Sequence, residues 1–128
     1  MDKQIIRTQN APQPIGPYSQ ATMVGDFLFV SGQGAIDPRS GQLIGSDIEA
    51  QTRQTLTNVR NIVEASGLSL LDIVKVSVFL KGMSDFKRMN EVYKTFFIQN
   101  PPSRTTVEVA NLPLPNMLIE IDVIAHRT

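Results

Sequence analysis

Only two stretches of this chain carry the spacing of an amphipathic helix, whereas at least five read as strands; that imbalance constrains the fold more than any motif. The strongest strand signal runs from Asp72 to Leu80, where Val74, Val76, Val78 and Leu80 alternate with Ile73, Lys75, Ser77 and Phe79. One side of that strand is wholly apolar and the other is mixed. Two helices can cover one face of a five- or six-stranded sheet, not both. The second face must therefore meet something other than water, and a copy of the same chain is the simplest occupant. A homo-oligomer is expected.

The first helix opens at Ser46-Asp47-Ile48-Glu49, a capping-box pattern in which Ser46 and Glu49 satisfy each other's free backbone donors. Ile48, Thr52, Thr55, Leu56, Val59, Ile62, Val63 and Ser66 then fall on one stripe, which Gly67 stops. The second helix starts at Ser84 or Asp85 and runs to about Gln99, with Phe86, Met89, Tyr93, Phe96 and Phe97 on one side before Pro101-Pro102. Ser19 to Val24 and Phe27 to Ser31 flank Gly25-Asp26, a two-residue hairpin signal. Arg104 to Val109 and Leu118 to Ala125 form two late strands, and Ile5 to Arg7 adds a short edge strand. The expected order is β-β-β-α-β-α-β-β, an α+β domain with two helices on one face of a mixed sheet.

Composition narrows the function. At 128 residues the chain is the size of one domain, spanning 1–128. Twelve basic residues offset twelve acidic ones, so no electrostatic footprint for a phosphate backbone exists and nucleic acid is a poor partner. With no cysteine, disulfides, thiolate metal sites and cysteine nucleophiles are all excluded. His126 is the only histidine and lies near the end, where it reads as frayed; no histidine triad or multi-histidine metal site can form. The glycines of Ser31-Gly32-Gln33-Gly34 follow a strand but open no helix, which argues against a nucleotide loop. The amino end lacks the apolar run of a signal peptide, and no stretch approaches the ~18 apolar residues of a membrane helix. A soluble cytoplasmic domain is expected.

The late strands hold the most informative pattern. Thr105, Val107 and Val109 alternate with Arg104, Thr106 and Glu108, and Ile119, Ile121 and Val123 with Glu120 and Asp122. If both apolar sets face the helices, then Arg104, Thr106, Glu120 and Asp122 share the opposite face, where a neighbouring copy would sit. Two readings of Arg104 stay open on alternation alone. One is a cross-strand ion pair with Glu120 or Asp122; the other is a guanidinium fork held for a substrate carboxylate.

The stretches Ile15-Gly16-Pro17-Tyr18-Ser19-Gln20-Ala21, Val30-Ser31-Gly32-Gln33, Met89-Asn90-Glu91-Val92-Tyr93 and Pro102-Ser103-Arg104 recur in order with Val107-Glu108-Val109-Ala110, Leu112-Pro113 and Ile119-Glu120-Ile121-Asp122-Val123-Ile124-Ala125. Together they resemble the RidA/YjgF family of imine and enamine deaminases. The resemblance spans nearly the whole chain. It implies a chorismate-mutase-like fold assembled as a homotrimer, with three sites between subunits and no metal or organic cofactor. It further implies that Arg104 binds the carboxylate of 2-aminoacrylate, 2-iminobutyrate and related acids. Tyr18, Ser31, Gly32, Asn90, Thr106 and Glu120 would line the cleft. Many of the family's deaminases carry cysteine where this chain has Thr106, a change that bears on rate and substrate preference.

The reaction needs little machinery, because a protonated imine carbon is already electrophilic and positioning with water activation suffices. On this reading Arg104 clamps the carboxylate, and backbone groups near Ser31-Gly32 and Thr105-Thr106 hold the imine. Glu120 orients water and shuttles protons, while Tyr18 and Asn90 close the cleft. The alternatives are an endoribonuclease acting in translation inhibition, and a non-catalytic trimer that binds small carboxylates.

Overall fold

The computed structural model describes residues 2–128. Strands β1 (Lys3–Ile6), β2 (Ala21–Val24) and β3 (Phe27–Gln33) precede helix α1 (Ile48–Ala65), and β4 (Ile73–Leu80) precedes α2 (Phe86–Phe96). Strands β5 (Ser103–Glu108) and β6 (Ile119–His126) follow. The six strands form one mixed sheet in the order β1-β2-β3-β6-β4-β5, with β5 running parallel to β4 at the outer edge. The expected order of elements is the observed one. No helix of the described residues is long and apolar enough to cross a membrane.

Helix α1 begins differently from the capping-box expectation. Asp47, not Ser46, is the N-cap, and its carboxylate accepts the Ala50 N–H at 2.8 Å. Glu49 is engaged elsewhere: Arg88 of α2 donates to both its oxygens at 2.7 and 2.8 Å, tying the helices together and lowering its pKa. At the other end Gly67, with φ of +90°, donates to Glu64 O while Leu68 donates to Val63 O. This Schellman turn is why the helix stops there. Helix α2 ends at Phe96, earlier than Gln99, because Phe97 already leaves helical geometry at φ −120° and ψ 70°.

Both helices lie on one face of the sheet, with α1 over β3 and β6 and α2 beside α1. Leu56, Val59, Ile62 and Val63 of α1 are fully buried against Val76, Val78 and Leu80 of β4 and Ile119 and Ile121 of β6. Each such side chain contributes about 1.5–3 kcal/mol by leaving water. A register shift between Ile73 and Lys75 turns Ile73 into this core and leaves Val74 exposed, reversing the simple alternation at the start of β4.

Among the described residues the opposite face carries no helix. Phe27 and Phe29 of β3 and Val107 of β5 are 46%, 44% and 39% exposed there. His126, expected to fray, is paired with Phe27 at the end of β6, its ring edge-on at 4.6 Å.

Candidate functional site

Arg104 enters from the edge strand β5. Its guanidinium carbon stands 4.6 Å from the centre of the Tyr93 ring and 5.6 Å from that of Phe86. Phe86, Asn90 and Tyr93 fall at i, i+4 and i+7, so α2 presents all three on one stripe. Among the described residues the ion pairs are Arg88–Glu49 and Lys94–Glu91, and neither involves Arg104. The cross-strand ion pair therefore does not form.

Three buried oxygens in this region have no hydrogen-bond partner among the described residues: Asn90 Oδ1, Tyr93 Oη and Thr106 Oγ1. A buried polar atom left unpaired costs ~1–3 kcal/mol, a penalty a ligand can relieve. Burial pushes the Tyr93 phenol pKa up, with the Arg104 charge pulling it partly back. The phenol is therefore a neutral group at pH 7. The stripe that packs Phe86 and Tyr93 against the core also seats an arginine, and their spacing around Asn90 is its sequence signal.

Glu120 belongs to a different cluster. It projects from β6 beside a cleft of about 300 Å³ that Ile15, Tyr18, Ser31, Gly32 and Pro113 also line. A β-carbon on Gly32 would stand 2.7 Å from Glu120 Oε2, so the carboxylate lies directly over bare backbone. Burial is the main cause that raises the Glu120 pKa above the usual carboxylate range, and the nearby Asp122 charge adds to it. Tyr18, 47% exposed, accepts the Ile15 N–H on its hydroxyl at 3.2 Å. Ser31 is committed twice: its N–H donates to Gln20 O at 2.9 Å and its hydroxyl to Ser19 O at 2.6 Å. Its backbone N–H is thus already engaged within the chain.

The two clusters do not share a face. Arg104 pairs in register with Val76 and Thr106 with Val78, and both valines point at the helices. Glu120 pairs with Phe79, which pairs with Val107 on the bare side. The expectation that Arg104, Thr106, Glu120 and Asp122 lie together is corrected: Arg104 and Thr106 are on the helix side, Glu120 and Asp122 on the other. The cause is that the bare face carries apolar side chains of its own, Phe27 and Phe29 among them, so the valine of an edge strand does not have to face the helices. Thr105 also lies on the bare side, where Lys75 donates to its hydroxyl at 2.7 Å. Two strand spacings and three residues of rise place the Arg104 and Glu120 α-carbons roughly 14 Å apart.

The chain and its fold have known counterparts. The family model described as endoribonuclease L-PSP matches residues 8–127. A RutC family protein from Pyrococcus horikoshii is 53% identical over 125 residues, covering 98% of each chain. A protein of Salmonella typhimurium named 2-iminobutanoate/2-iminopropanoate deaminase is 46% identical over 125 residues, covering 95% of this chain and 96% of its own. Among solved structures, Escherichia coli TdcF with bound serine superposes with a TM-score of 0.93 at 44% identity, covering 98% and 99% of the two chains. With a match that leaves out only the extreme ends, this chain belongs to the endoribonuclease L-PSP family, the RidA/YjgF family that its sequence resembled.

Proposed function

We propose that this protein hydrolyses 2-imino and 2-enamino acids to 2-oxo acids and ammonia, at sites shared between copies of the chain. The observation that carries the reading is the state of Arg104: a guanidinium stacked on two rings, without a carboxylate partner, in a region where three buried oxygens also lack partners. Such a group holds a carboxylate through two parallel charge-assisted hydrogen bonds. The relatives named as deaminases, and the serine bound to TdcF, support a small amino-acid-like ligand.

Because Arg104 and Glu120 face opposite sides of one sheet, a substrate touching both needs a second copy. The bare apolar face supplies a surface for it, and the chorismate-mutase-like homotrimer implied by the resemblance, each chain contributing residues 1–128 as one domain, closes three such clefts. In that assembly Arg104, Asn90 and Thr106 of one copy meet Tyr18, Gly32 and Glu120 of the next. Arg104 holds the substrate carboxylate, and the backbone at the open edge of β5 near Thr105 and Thr106 orients the iminium. Glu120 accepts a proton from water as the oxygen attacks the C=N carbon. It then returns the proton to the departing nitrogen. R–C(=NH2⁺)–COO⁻ plus H2O becomes R–CO–COO⁻ plus NH4⁺.

The test is ammonia release from 2-iminobutyrate generated in place, with and without protein. Acceleration that Arg104→Ala removes, while the oligomer persists, supports the proposal. Binding of small carboxylates with no acceleration would leave a binding protein instead, and RNA cleavage in its place would return the nuclease reading.

A further inference from the structure

The two helices are tied together at two points, and a cleft opens beside the ties. Near the start of α1, Glu49 holds Arg88 of α2. Further along, Arg60 lays its guanidinium over the Phe96 ring of α2, its central carbon 5.6 Å from the ring centre. Arg53, Arg60, Leu70, Thr95 and Phe96 line a cleft of about 330 Å³, a volume within the ~300–1,000 Å³ range of small-molecule sites. None of these residues borders the cleft beside Glu120, and none seats Arg104. The helices cover the face away from the bare side, so a copy docked on the bare face leaves this cleft open.

The walls are rich in unmatched positive charge. Arg53 and Arg60 stand two helical turns apart on one stripe of α1. Among the described residues the ion pairs are Arg88–Glu49 and Lys94–Glu91, so neither arginine has a carboxylate partner. Glu49, one turn before Arg53, has both oxygens held by Arg88. Glu64, one turn after Arg60, is exposed and makes no ion pair. Thr95 gives its hydroxyl proton to Val92 O at 2.6 Å, which leaves the two guanidiniums as the side-chain donors of the cleft. Leu70 and Phe96 pack half-buried against the core and supply an apolar floor.

Together these walls specify an occupant. Two guanidiniums match a dianion better than a monocarboxylate, and their forks fit phosphate oxygens two at a time. A phosphate monoester carries about −1.5 to −2 charges at pH 7. Leu70 and Phe96 receive an apolar or aromatic group attached to it. Two cations are too few for a nucleic-acid backbone, where a tight binder makes ~6–10 phosphate contacts. Arg60, already held on Phe96, loses little freedom when it binds.

We propose that the cleft between α1 and α2 is a second ligand site, which binds a small phosphate monoester with an apolar or aromatic body through Arg53 and Arg60. It does not depend on the deaminase reading.

Calorimetric titration of the whole protein with phenyl phosphate tests it, with inorganic phosphate and benzoate as partial probes. Phenyl phosphate should bind at least ~10-fold tighter than either, because one lacks the ring and the other the second charge. Arg53→Gln combined with Arg60→Gln should weaken its binding ~10-fold or more, whereas Arg104→Ala and Arg39→Gln should leave it unchanged. Nuclear magnetic resonance of the unaltered protein gives a readout that no substitution disturbs: phenyl phosphate should shift the amide signals of Thr95 and Phe96 and leave those of Gly32 and Thr106 in place. Binding that Arg104→Ala abolishes, or shifts confined to Gly32 and Thr106, would assign the anion to the Arg104 site and overturn the inference. So would benzoate or inorganic phosphate binding as tightly as phenyl phosphate, or no binding at millimolar concentration.

Discussion

Arg104 and Glu120 project from opposite faces of the same sheet: the first pairs with Val76 on the helix side, the second with Phe79 on the bare side. No side-chain rotation brings both to one small molecule within a single chain. A site that uses both has to be built from two copies, and this gives a test by complementation. Arg104→Ala and Glu120→Gln should each be inactive alone, the former by ~10²–10⁴-fold if two charge-assisted bonds are lost. Co-assembled in equal amounts, they should recover up to about a quarter of wild-type activity, since one neighbouring pair in four carries both intact groups. An inactive mixture would mean that the two residues do not serve one shared site.

Tyr93 should act as a positioning residue for Arg104. Cation–π contact contributes about 0.5–2 kcal/mol depending on desolvation. Tyr93→Leu is therefore expected to raise KM ~3–30-fold with a smaller change in kcat. Tyr93→Phe keeps the ring and should restore KM to near wild type. Equal effects of the two substitutions would place the role in the hydroxyl instead.

The raised pKa of Glu120 sets a pH dependence with a definite sign. As a general base it works ionised, so the rate should fall as pH drops through a value above the ordinary 4.5. Glu120→Gln should remove that acid limb along with most of the rate. Stability moves the other way. A carboxyl whose folded pKa is raised destabilises the fold when ionised, with the penalty absent below its unfolded pKa and complete above its folded one. Thermal melts should find Glu120→Gln more stable than wild type at pH 7 and equal to it near pH 3.

Gly32→Ala should separate folding from catalysis. Its β-carbon would meet the Glu120 carboxylate at 2.7 Å, and the flexible end of that side chain can move away at small cost. A carboxylate displaced by about 1 Å costs on the order of 10²-fold in rate. The expected variant therefore melts near the wild-type temperature and turns over slowly; unchanged kcat would show that Glu120 does not need this seat.

Asn58→Ala should instead unfold the protein more easily. The substitution leaves the Gly34 and Ile36 carbonyls without their donor, at about 1–3 kcal/mol for each group left unpaired. A drop in Tm of several degrees, measured by calorimetry, is expected.

The order of elements, the hairpin at Gly25-Asp26 and the helix stop at Gly67 were readable along the chain, because each depends on residues within a few positions of one another. So was the surplus apolar face: alternation within Asp72–Leu80 and a count of two helices were enough. The capping role of Glu49 that the local pattern suggests does not form, because its partner, Arg88, is 39 residues away. The end of helix α2 at Phe96 is illegible for a related reason, since its amphipathic pattern outlasts its backbone geometry.

Sequence by itself determined which residue types are available: one candidate clamp at Arg104, one candidate base at Glu120, and neither cysteine nor a second histidine to compete with them. Only the tertiary structure decided which side of the sheet each occupies. Alternation assigns side chains to two sets but not sets to faces, and the hydrophobic rule that usually breaks the tie fails when both faces carry apolar side chains. The parallel pairing of β5 with β4, and the Tyr93 and Phe86 rings that receive a guanidinium on the helix side, made that choice.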